Sequence, residues 1–97
     1  MRTKKQILNI LKELKQFLKK SYKVKKMWLF GSVVREEHTP KSDIDLLVDF
    51  QDNADLFTLV GLGMFLEDKL KQKVDIGTKR ALRKEIKHSV LKEVVAV

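Results

Sequence analysis

The sequence predicts a small α/β domain, and three observations carry that prediction. Apolar residues recur at helical spacing in three separate stretches. Short apolar or alternating runs lie between them, too brief for helices and suited to strands. Helices and short strands interleaved in this way give a small sheet with helices packed on it. At 97 residues the chain makes one domain, spanning 1–97, that buries a little over ~60% of its unfolded surface.

Each element follows from its residues. Thr3 followed by Gln6 is a capping-box pattern that opens a helix. Ile7, Ile10, Leu11, Leu14, Phe17 and Leu18 then keep helical spacing to about Lys20, with lysines on the remaining face and in the last turn, where they complement the helix dipole. Ser21–Lys23 break the pattern, and Val24–Phe30 reads as a first strand, its apolar second half suited to burial on both faces. Val33–Glu37 is expected to form a short helical turn, and His38–Ser42, with Pro40, a loop. Alternation from Asp43 to Phe50 predicts a second strand with Ile44, Leu46, Val48 and Phe50 facing a core.

A second helix is expected over Asn53–Gln72, with Leu56, Leu59, Val60, Met64, Leu66 and Leu70 as its apolar side. Gly61 and Gly63 inside it cost ~1 kcal/mol each relative to alanine, which points to close packing or a kink. Lys73–Thr78 is a short strand with Val74 and Ile76 facing in, Asp75 facing the other way and Gly77 near its end. Lys79–Glu93 reads as a third helical stretch, with Leu82, Ile86, Val90 and Leu91 apolar. Val94–Val97 is either a last short strand or an exposed partner patch.

Composition narrows the classes. An apolar share of 43% with one proline belongs to a folded globule. No apolar run approaches ~18 residues, so no membrane span is expected, and the basic N-terminus lacks a signal-peptide core. Zero cysteines exclude disulfides and thiolate zinc sites, which fits a cytoplasmic location. The two histidines, His38 and His88, read as surface residues rather than ligands. Charge is unevenly placed. Residues 1–26 carry ten basic side chains and one acidic, residues 27–75 five and ten, and residues 76–97 six and two. An acidic middle between basic ends suits a carboxylate centre with walls that attract a polyanion, although solvated lysine faces give the same totals.

The chemistry concentrates in Leu29–Phe50. Asp43 and Asp45 share one strand face, roughly 7 Å apart along the chain, and two such carboxylates repel unless a cation lies between them. Gly31 permits a sharp turn after the apolar run Met27–Phe30, so that the next amides and the Ser32 hydroxyl point at an anion. Arg35 is within reach of a phosphate, with Lys79 and Arg80 as weaker candidates. A phosphate-holding turn facing paired carboxylates is the equipment of metal-assisted phosphoryl or nucleotidyl transfer. An EF-hand starting at Asp43 fails, because Val48 and Ala54 stand where Gly and Glu are required. A P-loop fails for want of Gly-Lys-Ser/Thr, and the glycines at 61 and 63 make no dinucleotide fingerprint.

Gly31-Ser32, ten intervening residues, then Asp43-Ile44-Asp45 resembles the signature of the polymerase-β-like nucleotidyltransferases, and most closely that of the minimal nucleotidyltransferases (MNT) that accompany HEPN-domain toxins. The resemblance covers nearly the whole chain. It departs at Glu36, where the family often has glycine after the arginine matched by Arg35. It implies a nucleotidyltransferase fold, with a mixed sheet of three or four strands and Asp75 beside the Asp43/Asp45 strand as a third carboxylate. It further implies two Mg²⁺ ions held by Asp43, Asp45 and Asp75, and ATP bound at Gly31, Ser32 and Arg35. The implied acceptor is a tyrosine of a cognate HEPN toxin, which would make the chain an AMP-transferring antitoxin. Two alternatives stay open at this point: the same fold acting on RNA or a small hydroxylated acceptor, and an antitoxin that neutralises by binding alone.

Overall fold

Thr3 caps the first helix reciprocally: its hydroxyl accepts from the Gln6 amide at 3.2 Å and its own amide donates to the Gln6 side chain at 2.9 Å. The computed structural model describes residues 2–52, 54–82 and 84–97, with the Ile86 side chain also outside the described set. Helix α1 (Lys4–Ser21) buries Ile7, Leu11 and Leu18, and Lys19 and Lys20 lie in its last turn, as expected. Tyr22 closes the helix and Lys23 turns the chain with a positive φ of 56°. Strand β1 (Val24–Phe30) follows over the range read from the sequence.

The segment after β1 is tighter than predicted. A single 3-10 turn, Gly31–Val33, begins at Gly31 and continues as a hydrogen-bonded turn to Glu36, in place of a helical turn over Val33–Glu37. Strand β2 (Ile44–Phe50) then runs antiparallel to β1, helix α2 spans Leu56–Leu70, and β3 (Val74–Thr78) lies parallel to β2. A 3-10 turn at Lys79–Ala81 separates β3 from helix α3 (Lys84–Glu93), so the predicted Lys79–Glu93 helix is two elements. The reason is local: the Thr78 hydroxyl accepts from the Ala81 amide and caps the short turn. Strand β4 (Val95–Ala96) pairs antiparallel with β1, which decides the reading of the Val-rich tail. The sheet order is β3-β2-β1-β4, a mixed four-stranded sheet.

Ile44, Leu46 and Val48 of β2 join Val24, Met27 and Leu29 of β1 and the inward faces of α1 and α2 in one core. Leu47 is equally buried but belongs to the opposite sheet face, packed near Gly77 of β3. Helix α2 departs from its predicted apolar side. It buries Leu62, Leu66 and Leu70, while Leu56, Phe57, Val60 and Met64 are exposed. Almost every residue of its middle is apolar, so spacing alone left its rotation open. Asp55 caps it by accepting from the amide and hydroxyl of Thr58 at 2.9 and 3.0 Å, and these bonds hold the Asp55 carboxyl below its ordinary pKa. The predicted start at Asn53 lies outside the described residues, as does the Ile86 side chain assigned to the third helix. Gly61 brings α2 close to Tyr22: a Cβ there would stand 3.4 Å from the tyrosine ring, which is the close packing its presence predicted.

Candidate active site

Strand pairing builds the site. In the antiparallel β1–β2 register Phe30 stands opposite Asp45, so the residue after Phe30, Gly31, arrives beside that carboxylate. In the parallel β2–β3 register Asp45 stands opposite Asp75. Two carboxylates and the glycine turn therefore meet on the sheet face away from α1 and α2. Asp43 immediately precedes β2 and shares that face by alternation.

Gly31 is required here twice over. Its φ is +78°, a conformation L side chains rarely adopt, and a Cβ would run into the Asp45 carboxylate, whose Cγ would lie 3.0 Å away. The backbone thus passes directly against a metal-ligating type of side chain, with the amides of Ser32 and Val33 opening the turn. Amides at the start of such a turn have no partner within it.

The electrostatics agree with this crowding. Desolvation raises the Asp45 pKa, the charges of Asp75 and Asp43 raise it further, and Arg35 opposes them. Asp75 and Asp43 are thus close enough to disfavour ionisation of Asp45, which is the situation a bound cation relieves. Among the described residues, no three acidic or histidine side chains converge tightly enough to cage an ion as they stand. The donor set nonetheless suits Mg²⁺, which keeps several waters and takes one or two carboxylates rather than a full protein cage.

Arg35 is held by two carboxylates. Its guanidinium bonds Glu37 at 3.2 Å and Glu93 at 3.1 Å, and the Glu37 bond is the main reason its pKa is raised. Its charge still reaches Asp45, where it opposes part of the rise in that carboxyl's pKa. Glu93, at the end of α3, was not singled out from sequence: it lies 58 positions away and no local pattern links it to Arg35. Lys79 packs over the Trp28 ring at 5.4 Å, and Arg80 lies 3.9 Å from Asp52, so neither is aimed at the carboxylates. His38 is not a surface residue: it is half-buried, with Nε2 2.9 Å from the Arg2 carbonyl, whereas His88 is exposed as expected.

Ser42 braces the loop that delivers the aspartates. Its hydroxyl accepts from the Thr39 amide at 2.9 Å, and its carbonyl accepts from Gln72 at 2.6 Å. Lys73 fixes the start of β2, its carbonyl accepting from the Ile44 amide at 2.8 Å.

The profile of the nucleotidyltransferase domain matches residues 11–97. The chain belongs to this nucleotidyltransferase family. Protein adenylyltransferase MntA of Thermococcus cleftensis is 38% identical over 97 residues, covering all of this chain and 98% of the relative. A Methanocaldococcus jannaschii protein, provisionally named a protein adenylyltransferase, is 41% identical over the full length of both chains. Among solved structures, one provisionally described as a minimal nucleotidyltransferase superposes with a TM-score of 0.87 at 27% identity, covering 99% of this chain and 97% of its own. A chain in the complex of tri-AMPylated Shewanella oneidensis HEPN toxin with MNT antitoxin superposes with a TM-score of 0.64 at 25% identity, covering 92% and 68%. The nucleotidyltransferase fold and enzyme class expected from Gly31-Ser32 and Asp43-Ile44-Asp45 are thereby established.

Proposed function

We propose that this nucleotidyltransferase moves AMP from ATP onto a tyrosine of a cognate HEPN-domain toxin and so acts as its antitoxin. The observation that carries the reading is full-length similarity to a protein adenylyltransferase, joined to the related complex in which a HEPN toxin bearing AMP is bound to an MNT antitoxin. Gly31 and Ser32 hold the terminal phosphates at the turn, with Arg35 at its rim. Asp43, Asp45 and Asp75 would hold two Mg²⁺ ions, which supply charge neutralisation of the triphosphate when bound. The tyrosine oxygen forms a bond to the α-phosphorus, the bond from that phosphorus to the α–β bridging oxygen breaks, and pyrophosphate leaves. Asp75, exposed at the mouth of the site, takes the hydroxyl proton. Two features of the sheet support these roles: Asp75 is in register with Asp45, and Gly31 touches Asp45.

The test mixes the purified chain with α-labelled ATP, Mg²⁺ and the HEPN-domain protein encoded beside it. Intact-mass measurement of that protein is expected to show added AMP, located on tyrosine, and Asp75→Asn is expected to abolish the addition. Label on RNA, or tight complex formation without any mass change under saturating ATP and Mg²⁺, would overturn the proposal.

A further inference from the structure

Glu93 ends α3, and the pairing of the strand that follows decides where it lies. β4 runs antiparallel to β1, with Ala96 opposite Trp28 and Val95 opposite Leu29. Counting on along both chains from that last pair sets Glu93 level with Gly31, the glycine packed against Asp45. A strand of two residues is shorter than strands usually are. It is nonetheless enough to carry a carboxylate from α3 to the phosphate-holding turn.

What Glu93 meets there is Arg35. Its carboxylate accepts from Arg35 Nη1 at 3.1 Å, while that of Glu37 accepts from Nε at 3.2 Å. The two bonds act differently. Glu37 and Arg35 belong to one turn: the Arg35 amide donates to the Gly31 carbonyl at 3.3 Å, and the Glu37 amide to the Ser32 carbonyl at 2.9 Å. A bond inside the turn moves with the turn. Glu93 comes from 58 positions away, so its bond ties the guanidinium to the edge of the sheet.

Stability is not what this tie supplies. The Arg35 and Glu93 side chains are 45% and 49% exposed, and ion pairs so exposed stabilise a fold little. Orientation is what it supplies, because an arginine side chain is long and rich in rotamers. Held in this way, the guanidinium stays within electrostatic range of Asp45. The two bonds use the Nε proton and one on Nη1. A guanidinium carries three further N–H donors, in a planar layout that suits phosphate oxygens. We infer that Glu93 is a positioning residue of the nucleotide site, fixing the Arg35 guanidinium at the rim of the Gly31-Ser32 turn so that it meets the terminal phosphates already oriented. This inference rests on the proposed function for the placing of ATP at that turn.

The experiment uses the intact chain, Mg²⁺ and α,β-methylene ATP, which binds as ATP does but cannot release AMP. In calorimetry Glu93→Ala is expected to weaken binding about tenfold, since the arginine must then be ordered at the moment of binding. Thermal melting should not change. Glu93→Gln keeps an acceptor oxygen and should recover part of the loss. In AMP transfer to the HEPN-domain protein encoded beside this chain, the effect should fall on the KM for ATP and leave kcat near that of the parent. In an Arg35→Ala background Glu93→Ala should cost nothing further, because its effect runs through the guanidinium. Unchanged binding in Glu93→Ala would overturn the inference, and so would tighter binding, which would mean that Glu93 competes with phosphate for Arg35. Losses that add in the double variant would also overturn it, as would a parent chain that does not bind the analogue. If the parent binds the analogue and transfers no AMP, while Arg35 and Glu93 remain coupled, the positioning role stands and the transferase reading falls.

Discussion

At the scale of single residues, Asp45 states the site's physical problem. Its pKa is raised by desolvation and by the charges of Asp75 and Asp43. Between the ordinary carboxylate pKa and this raised value the folded state binds more protons than the unfolded one. Stability therefore falls as pH rises through that window and stays lowered above it. Asp45→Asn removes the cost. In EDTA at neutral pH the variant is expected to melt above the parent protein, and the difference should vanish below the ordinary carboxylate range. Adding Mg²⁺ should raise the melting temperature of the parent and leave the variant unmoved, while AMP transfer by the variant falls at least about a hundredfold. A variant that melts lower in EDTA at neutral pH would show that Asp45 is held by contacts stronger than its repulsion.

Glu36 poses the complementary case of backbone strain. It occupies a φ of 59°, in the left-handed region that favours glycine. A non-glycine residue there costs about 1–2 kcal/mol, partly offset by the extra chain entropy that glycine loses on folding, about 0.5–1 kcal/mol. Glu36→Gly is thus expected to raise the melting temperature by a few degrees, without changing the Arg35 contacts to Glu37 and Glu93. A drop in melting temperature would mean that the Glu36 side chain makes a stabilising contact that outweighs its strained backbone.

At the scale of elements, α2 is the instructive one. Its sequence is apolar nearly all round, and the side expected to face the core, from Leu56 through Val60 and Met64 to Leu66 and Leu70, is only partly the one that is buried. Packing selected the stripe Leu62, Leu66 and Leu70, each fully or almost fully buried, and left Met64 on the outside. Leu66→Ala is accordingly expected to cost about 2–5 kcal/mol by cavity formation, whereas Met64→Ala should change stability by no more than about 0.5 kcal/mol. Chemical denaturation of the two variants measures both numbers. A large loss at Met64 with little at Leu66 would reverse the orientation of the helix. The two glycines beside Leu62 separate in meaning as well: Gly61 lies against Tyr22, and Gly63 faces Ile76 with a more relaxed 3.8 Å to its nearest atom.

At the scale of the whole molecule, the chain by itself determined its enzyme family and the order of its elements. Local rules sufficed for that. The Thr3/Gln6 capping box, the alternation through β2 and the Gly31-Ser32 turn are each settled within a few residues of sequence, and the spacing from Gly31 to Asp45 is a property of the chain alone. Neighbour relations across the sheet were not legible in the spacing of the residues, and only the family resemblance set Asp75 beside the Asp43/Asp45 strand. That Asp75 lies in register with Asp45, that β4 closes the edge beside β1, and that Glu93 reaches Arg35 all depend on which surfaces bury most completely against one another. The same is true of the outward face of α2, since a helix with apolar residues on every side is oriented only by the partners it meets. Burial is a sum over contacts made by distant segments, so it decides what no local pattern encodes.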